Sequence, residues 1–376
     1  MVISIKFDIS YEDDELSCRS GIFKLNGSAI ETPLIWLGYP IGSSPRLWEV
    51  LPMKNLMVNA YEVLKRLKVC EEVSKKGIHE YLGFDDLVFM DSGGFLFQKK
   101  DKMDLDPEII LKLYETSKPD IAAVLDHPFD PSRPSRINSR RWLKTLKNTK
   151  YMLENNGNIL LMPILHGYAL KDLKMACREI KKIDENPKFI GLGSLVPLIF
   201  NTKGSKRIKD GLKFIVDAVG LIREEFPDSL LHTFGVGSSQ SMHFMFALGV
   251  DSLDSMGWRL KAAYGVIQLP GVGDRHLTPR NTKKRPFIKG REKELLAACE
   301  CPACKSKSLE ERIQDLNDNF YFRSVHNAWV FLNEQKKFHQ ALKEGYIKSF
   351  IESRLKKGMF SKAVKYVIND QTALQF

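Results

Sequence analysis

The sequence predicts an α/β protein, a (β/α)8 TIM barrel carrying a zinc-binding insertion and a C-terminal helical subdomain. Three observations predict it. Short apolar stretches ending in Gly, Asp or His alternate with longer amphipathic ones rich in Lys and Glu, eight strands of this kind can be read along the chain, and Cys299, Cys301 and Cys304 fall in a C-x-C-x-x-C spacing. A doubly wound open sheet is the alternative, but no G-x-G-x-x-G opens the first β-to-α turn.

Residues 1–30 read as a small N-terminal β layer: ISIKFDIS alternates, and GIFKLNG runs into a turn at Asn26-Gly27. The barrel is expected over 31–270, with strands at 33–38, 56–59, 87–91, 121–126, 159–165, 189–193, 230–235 and 252–255. Between them, 107–116, 140–155, 171–183, 211–225 and 241–248 have the pattern of helices. Near-continuous apolar strands alternating with helices mean a parallel sheet covered on both faces. A basic loop and zinc-binding subdomain follow over 271–345, and a basic helical tail over 346–376.

Composition narrows the class. No apolar run reaches the roughly 18 residues of a membrane span, and MVISIKFDISYEDDE turns acidic too early for a signal peptide, so a cytoplasmic protein is expected. Six cysteines are too few for a disulfide scaffold in 376 residues, and three of them are bunched where a metal is the better reading. An excess of 57 Lys and Arg over 46 Asp and Glu, net +11, favours a polyanionic partner.

In a barrel, chemistry belongs at the C-terminal ends of the strands. The expected strands close on Asp91, Asp126, His166, Gly193-Ser194, Gly235 and Asp254, which brings three carboxylates and an imidazole to one mouth. An Asp after a strand commonly caps the next helix; three at one rim make an active site the stronger reading. Asp254, within ALGVDSLDSMGW, is costly to bury unless paired or used. Asp91, within VFMDSGGFLF, is followed by a glycine pair that lets a planar ligand approach, with Phe95 as a stacking face and Ser92 beside it. Asp126, within AAVLDHPFDP, can accept two adjacent donors such as N1–H and the exocyclic amine of a guanine. The stretch Gly235-Val-Gly-Ser-Ser reads equally as a plain turn or as a helix start offering backbone N–H groups to a phosphate.

Residues 275–293 carry eight basic side chains against the single acid Glu292. Arg275, Arg280, Lys283, Lys284 and Arg285 in this loop, with Arg259 and Lys261 after the last strand, are the candidate nucleic-acid contacts. Cys299, Cys301 and Cys304 with His326 make a four-ligand structural Zn2+ site with no position left for water; His339 is the rival fourth ligand.

Together these motifs resemble the tRNA-guanine transglycosylases: DSGGF at Asp91, LDHP at Asp126, GLGSLVPL at 191–198, HTFGVG at 232–237, GVDSLDS at 249–255, and the cysteines with His326. The resemblance covers about 30–340 and implies base exchange in a nucleic acid. Asp254 matches the nucleophile that attacks C1′ and forms a glycosyl-enzyme; Asp91 matches the general acid/base. Asp126, Gly193 and Ser194 match groups that recognise the base, and Phe95 its stacking partner; His166 stands where the family usually has a glutamine. About fifty residues follow His326, where archaeal members carry further RNA-binding domains. With the basic loop, this makes the chain look like the DNA-acting branch, which exchanges guanine in DNA for 7-cyano-7-deazaguanine within a modification and restriction system, with an ATPase as a possible partner. A queuosine- or archaeosine-type tRNA enzyme is the alternative. A non-catalytic nucleic-acid-binding subunit is the reading from another class, and the presence of both Asp91 and Asp254 argues against it.

Overall fold

Three antiparallel strands open the chain, β1 (Ile5–Glu12), β2 (Arg19–Leu25) and β3 (Ser28–Thr32), as the alternating pattern requires. The β2–β3 hairpin turns at Asn26 and Gly27, with φ of 50° and 92°, the paired positive values that a two-residue hairpin favours. This is a computed structural model, and it describes residues 5–13, 16–95, 105–199, 211–278, 286–356 and 359–369.

Every expected barrel strand is present: β4 (Leu34–Leu37), β5 (Asn55–Asn59), β6 (Leu87–Asp91), β7 (Ile121–Ala123), β8 (Leu161–Met162), β9 (Ile164–Leu165), β10 (Phe189–Leu192), β11 (Leu230–Thr233) and β12 (Ser252–Ser255). The single strand expected over 159–165 is split into β8 and β9, because Pro163 has no N–H to give to a ladder. Strand β8 pairs with β7, while β9 pairs with β10, so the break hands the sheet from one neighbour to the next. One parallel sheet runs β5-β6-β7-β8 and the other β4-β12-β11-β10-β9; a parallel bridge between Gly38 and Met57 joins β4 to β5. Counting β8 and β9 as one strand interrupted at Pro163, the two sheets and the Gly38–Met57 bridge give eight strands in the order of a (β/α)8 barrel.

The helices match the amphipathic stretches closely, Gly211–Glu225 to the residue. The helix expected at 140–155 begins earlier and spans Ser135–Asn155, since its first turn, Ser-Arg-Ile-Asn, carries little of the apolar period that marks a helix. Along its exposed side lie Arg136, Arg140, Lys144 and Lys147, three or four residues apart. Beyond the barrel, Leu309–Asp318, Phe320–Lys343, Ile347–Leu355 and Phe360–Asn369 are helical, as the C-terminal pattern predicts. No helix among the described residues is long and apolar enough to cross a membrane.

The N-terminal layer seats on the end of the barrel opposite the mouth. Phe23 of β2 meets Phe189 of β10 edge-on, with ring centroids 5.1 Å apart. Arg19 of β2 reaches across to Asp251, just before β12, with Nε 2.8 Å from Oδ1 and Nη2 3.0 Å from Oδ2. Arg223 also bonds that carboxylate, and the Leu231 N–H donates to Oδ2 at 2.8 Å. Burial would raise the carboxyl of Asp251, but the two guanidiniums hold it below its usual range.

Candidate active site

The opposite end of the barrel opens into a cavity of about 510 Å3 lined by Asp91, Asp126, Asp254, Phe95, Gly193 and Ser194, with Met57, Val58, Phe234, Leu260 and Phe331 as apolar wall. The three carboxylates come from the ends of β6, β7 and β12, so the topology gathers groups more than 160 residues apart in the chain.

Asp91 is the most perturbed of them. Burial, then the charges of Asp126 and Asp254, push it up to about 8, against N–H groups of Gly93 and Ser92 that favour the anion. Its Oδ2 accepts from Asn59 Nδ2 at 3.0 Å and from the Gly93 N–H at 3.1 Å. Near neutral pH it is therefore a protonated acid held in a fixed orientation, as a group that must deliver a proton requires. Gly93 stands at φ 92°, and a Cβ there would lie 2.8 Å from the Asn59 side chain. A Cβ on Gly94 would lie 2.0 Å from Asp126 Oδ1, so the glycine pair is needed for close approach within the protein as well as for a ligand.

Asp126 is 6% exposed and braced from behind. Ser92 Oγ donates to Oδ1 at 3.3 Å, and His166 Nε2 lies 3.0 Å from Oδ2. The other ring nitrogen of His166, Nδ1, lies 2.8 Å from Ser194 Oγ, which itself accepts the Phe129 N–H at 2.8 Å. With Ser194 donating to Nδ1, the hydrogen of His166 sits on Nε2 beside Asp126, close to it but out of line for a full hydrogen bond. His166 and Ser92 are thus buried supports, and neither is among the residues lining the cavity. His166, a candidate base contact from the sequence, has Nδ1 on Ser194 and Nε2 facing Asp126, and a Cβ on Gly193 would sit 2.5 Å from its ring. Gly193, Ser194, Asp126 and Phe95 do line the cavity, with Phe95 half exposed at 51%.

Asp254 is held through Oδ1, which accepts the Gly235 N–H at 2.6 Å and lies 3.4 Å from His232 Nε2. The Gly237 N–H donates to the backbone carbonyl of Asp254 at 3.0 Å. Two N–H groups expected to be available to a phosphate are therefore spent on Asp254.

The described cations among the expected nucleic-acid contacts all hold internal partners. Arg259 bonds the Ser44 carbonyl and lies over the Phe320 ring, Lys261 bonds Asp274 at the cavity's edge, and Arg275 pairs with Glu292 at 2.8 Å. Arg280, Lys283, Lys284 and Arg285 lie outside the described residues.

The four metal-ligand candidates come together. The ligand atoms of Cys299, Cys301, Cys304 and His326 lie within 4.8 Å of one another, with each sulfur 3.5 Å from His326 Nδ1. Tetrahedral zinc with Zn–S near 2.3 Å and Zn–N near 2.0 Å requires an S···N edge of about 3.5 Å, so the donor set fits that ion. His326 Nε2 lies 2.9 Å from the Gln268 carbonyl, which fixes Nδ1 as the ligating nitrogen. His339 is elsewhere, with Nε2 2.7 Å from the Pro33 carbonyl and Nδ1 3.3 Å from Glu31. Next to His326, Asn327 accepts the Gln268 N–H and donates to the Trp258 and Val266 carbonyls, tying the cluster's helix to the segment that follows Asp254.

Three supports escaped the sequence reading. Asn59, which orients Asp91, looks like an ordinary helix cap and is one, its Oδ1 accepting the Glu62 N–H at 3.2 Å. Glu62 lines the cavity, although nothing in its local sequence sets it apart. His232 was noted only as a letter in a motif.

A family profile described as "Queuine tRNA-ribosyltransferase" matches residues 14–359. The chain belongs to that family. It is similar to a tRNA-guanine(15) transglycosylase of Pyrococcus furiosus, 27% identical over 358 residues, covering 93% of this chain and 56% of that protein. Those of Methanocaldococcus jannaschii (27% over 365 residues, 93% and 52%) and Methanopyrus kandleri (24% over 359 residues, 93% and 72%) are similar as well. The chain spans little more than half the length of the first two relatives.

Proposed function

We propose that this family member exchanges guanine in a nucleic acid for a 7-deazaguanine base through a covalent aspartyl-glycosyl intermediate. The observation that carries the reading is the cavity in which an acid pushed up to about 8, Asp91, faces the carboxylates of Asp126 and Asp254. An acid held protonated beside a second carboxyl group is what a double displacement at an N-glycosidic carbon needs. Asp254 attacks C1′ while the C1′–N bond to guanine breaks and Asp91 gives the leaving base its proton. Asp91, now a carboxylate, takes the ring N–H proton of the incoming base; that nitrogen attacks C1′ and the Asp254 carboxylate is released. Asp126 accepts the donors on the base edge, with Ser194 and Gly193 beside it and Phe95 over the ring. His166 and Ser92 keep Asp126 in place, and Zn2+ in the Cys299, Cys301, Cys304 and His326 cluster would brace the fold rather than take part in chemistry.

For the acceptor, the names of the similar archaeal proteins favour tRNA, and we place it first. DNA, with 7-cyano-7-deazaguanine as the incoming base, is the second reading and rests on the resemblance to the DNA-acting branch. Either acceptor is a polyanion that must present its base out of the stack. The basic side of the helix Ser135–Asn155 suits its phosphates: Asn138 Oδ1 accepts the Asp130 N–H at 3.0 Å, and Arg141 donates to the Pro128 carbonyl at 2.8 Å. The first turns of that helix are thereby fastened to the loop behind Asp126. Arg275, Arg280, Lys283, Lys284 and Arg285, with Arg259 and Lys261, are further candidate phosphate contacts by their charge in the sequence.

Incorporation of labelled guanine and 7-cyano-7-deazaguanine, measured side by side with tRNA and duplex DNA, tests the proposal. Label in tRNA alone supports the first reading and label in DNA alone the second; exchange in neither refutes base exchange.

A further inference from the structure

Behind Asp254 lies a chain of polar groups sealed from solvent. His232, at β11, is fully buried between the edges of Phe89 and Phe234, with ring centroids 5.2 Å and 4.4 Å away. Its Nδ1 lies 2.7 Å from Ser252 Oγ, and that oxygen accepts the indole N–H of Trp36 at 2.9 Å. Trp36 is a donor only, so it uses an acceptor site of the serine and leaves the hydroxyl proton to be placed. Turned to His232 Nδ1, that proton satisfies both groups, and the imidazole then carries its own hydrogen on Nε2. Nε2 faces Asp254 Oδ1 at 3.4 Å, a long contact of the kind that tightens when a substrate closes a site. Burial pushes His232 down, against the pull of Asp254, so the ring is a neutral donor.

We infer that His232 is a positioning residue for the nucleophile: with the Gly235 N–H it holds Asp254 Oδ1, leaving Oδ2 to attack, and it stabilises the carboxylate that must be expelled in the second half of the reaction. This rests on the base-exchange reading of the site. Oδ1 already receives the Gly235 N–H at 2.6 Å, whereas Oδ2 has no hydrogen-bond donor among the described residues. When Oδ2 bonds C1′ and the C1′–N bond breaks, Oδ1 becomes the ester carbonyl oxygen. When the second base attacks C1′, the C1′–Oδ2 pair returns to the carboxylate, and the charge regained on Oδ1 meets the Gly235 N–H already in place and the His232 Nε2–H, unpartnered in the resting structure and 3.4 Å away, which closes on it. The proton on Nε2 stays there throughout. The role comes from a side chain four strands away from Asp91 in the strand order, and it explains why a buried histidine is aligned by a serine and a tryptophan that do not line the cavity.

The test compares wild type with His232→Phe, His232→Gln and Ser252→Ala, reading covalent adduct formation and the pH dependence of kcat/KM for base exchange. The groups facing Asp254 are Asp91 of β6, Asp126 after β7, Glu62 and Lys261 around the cavity, and His232 itself, and all but His232 are unchanged in the variants. Loss of a donor makes a carboxylate easier to protonate, so in His232→Phe the acid limb moves up by about one pH unit and the rate falls roughly 10- to 100-fold. His232→Gln, which keeps an N–H near the same place, recovers most of both. Ser252→Ala frees the tautomer and gives a smaller shift in the same direction, so the idea stays open to refutation should His232→Phe not fold. If wild type forms the adduct but the variants keep its acid limb and a rate within about two-fold, or if Gln does no better than Phe, His232 has no such role. If wild type itself neither exchanges nor forms an adduct, the base-exchange reading falls and this inference with it.

Discussion

The two ends of one short strand, β12, carry an aspartate each, and the protein treats them in opposite ways. Asp251, at the closed end, is fully buried and gripped by Arg19, Arg223 and a backbone N–H. Asp254, three residues on, borders the cavity and is held through one oxygen only. The first carboxylate is satisfied on every side and has nothing left to offer a substrate. The second keeps an unengaged oxygen near Asp91, whose carboxyl is pushed up by burial and by the neighbouring carboxylates, an arrangement that suits the proposed chemistry better than it suits stability. In the motif GVDSLDS the two residues look alike; the barrel separates them by placing one at its base and one at its mouth.

Substitutions at the two ends should separate cleanly. Asp254→Asn should cut base exchange by roughly 10⁴-fold or more while the melting temperature changes by no more than about 2 °C, checked by kinetics and calorimetry on one preparation. Should that variant keep substantial activity, the mouth would not differ from the base in the way described. Asp251→Asn should do the reverse: losing one partner of a buried ion cluster costs about 3–5 kcal/mol in urea unfolding, with the folded fraction exchanging within a few-fold of wild type.

A second contrast is that between the cavity and the cysteine cluster, whose four donor atoms would all be taken up by one ion. Cys301→Ser should lower bound zinc and thermal stability together, because ligand binding there contributes to folding; a variant with full stability and no metal would show the cluster to be dispensable. Smaller in effect, the pH profile should show Asp91 as an acid. Its folded value is raised to about 8, so it is protonated below that pH, and kcat/KM should fall as pH rises through about 8. The limb should disappear in what activity Asp91→Asn retains. His166→Ala should weaken binding of the incoming base by roughly ten-fold, as Asp126 loses its brace, while the basal fold persists.

Much of this was legible in the sequence because strand ends and motif residues coincide. Asp91, Asp126 and Asp254 each close an apolar run, and C-x-C-x-x-C with His326 states its ligands outright. What stayed hidden depends on contacts between distant segments. Asn59 and Asp91 meet because β5 and β6 are paired in register, Asn59 opposite Asp91. His166 was expected at the base edge because the sequence places it at a strand end, but it cannot show that Ser194, 28 residues later, and Asp126 face its two nitrogens. The strand break at Pro163 was readable from proline's missing donor, yet the apolar run around it concealed the division.

The account turns on Asp254 as the atom-bearing nucleophile. The most direct test is to incubate the enzyme with a guanine-containing tRNA or DNA, denature, digest and map any nucleic-acid adduct by peptide mass. An adduct on the peptide bearing Asp254, formed by wild type and lost in Asp254→Asn, is the predicted result. Efficient base exchange with no adduct, or with one mapped to another residue, would contradict it.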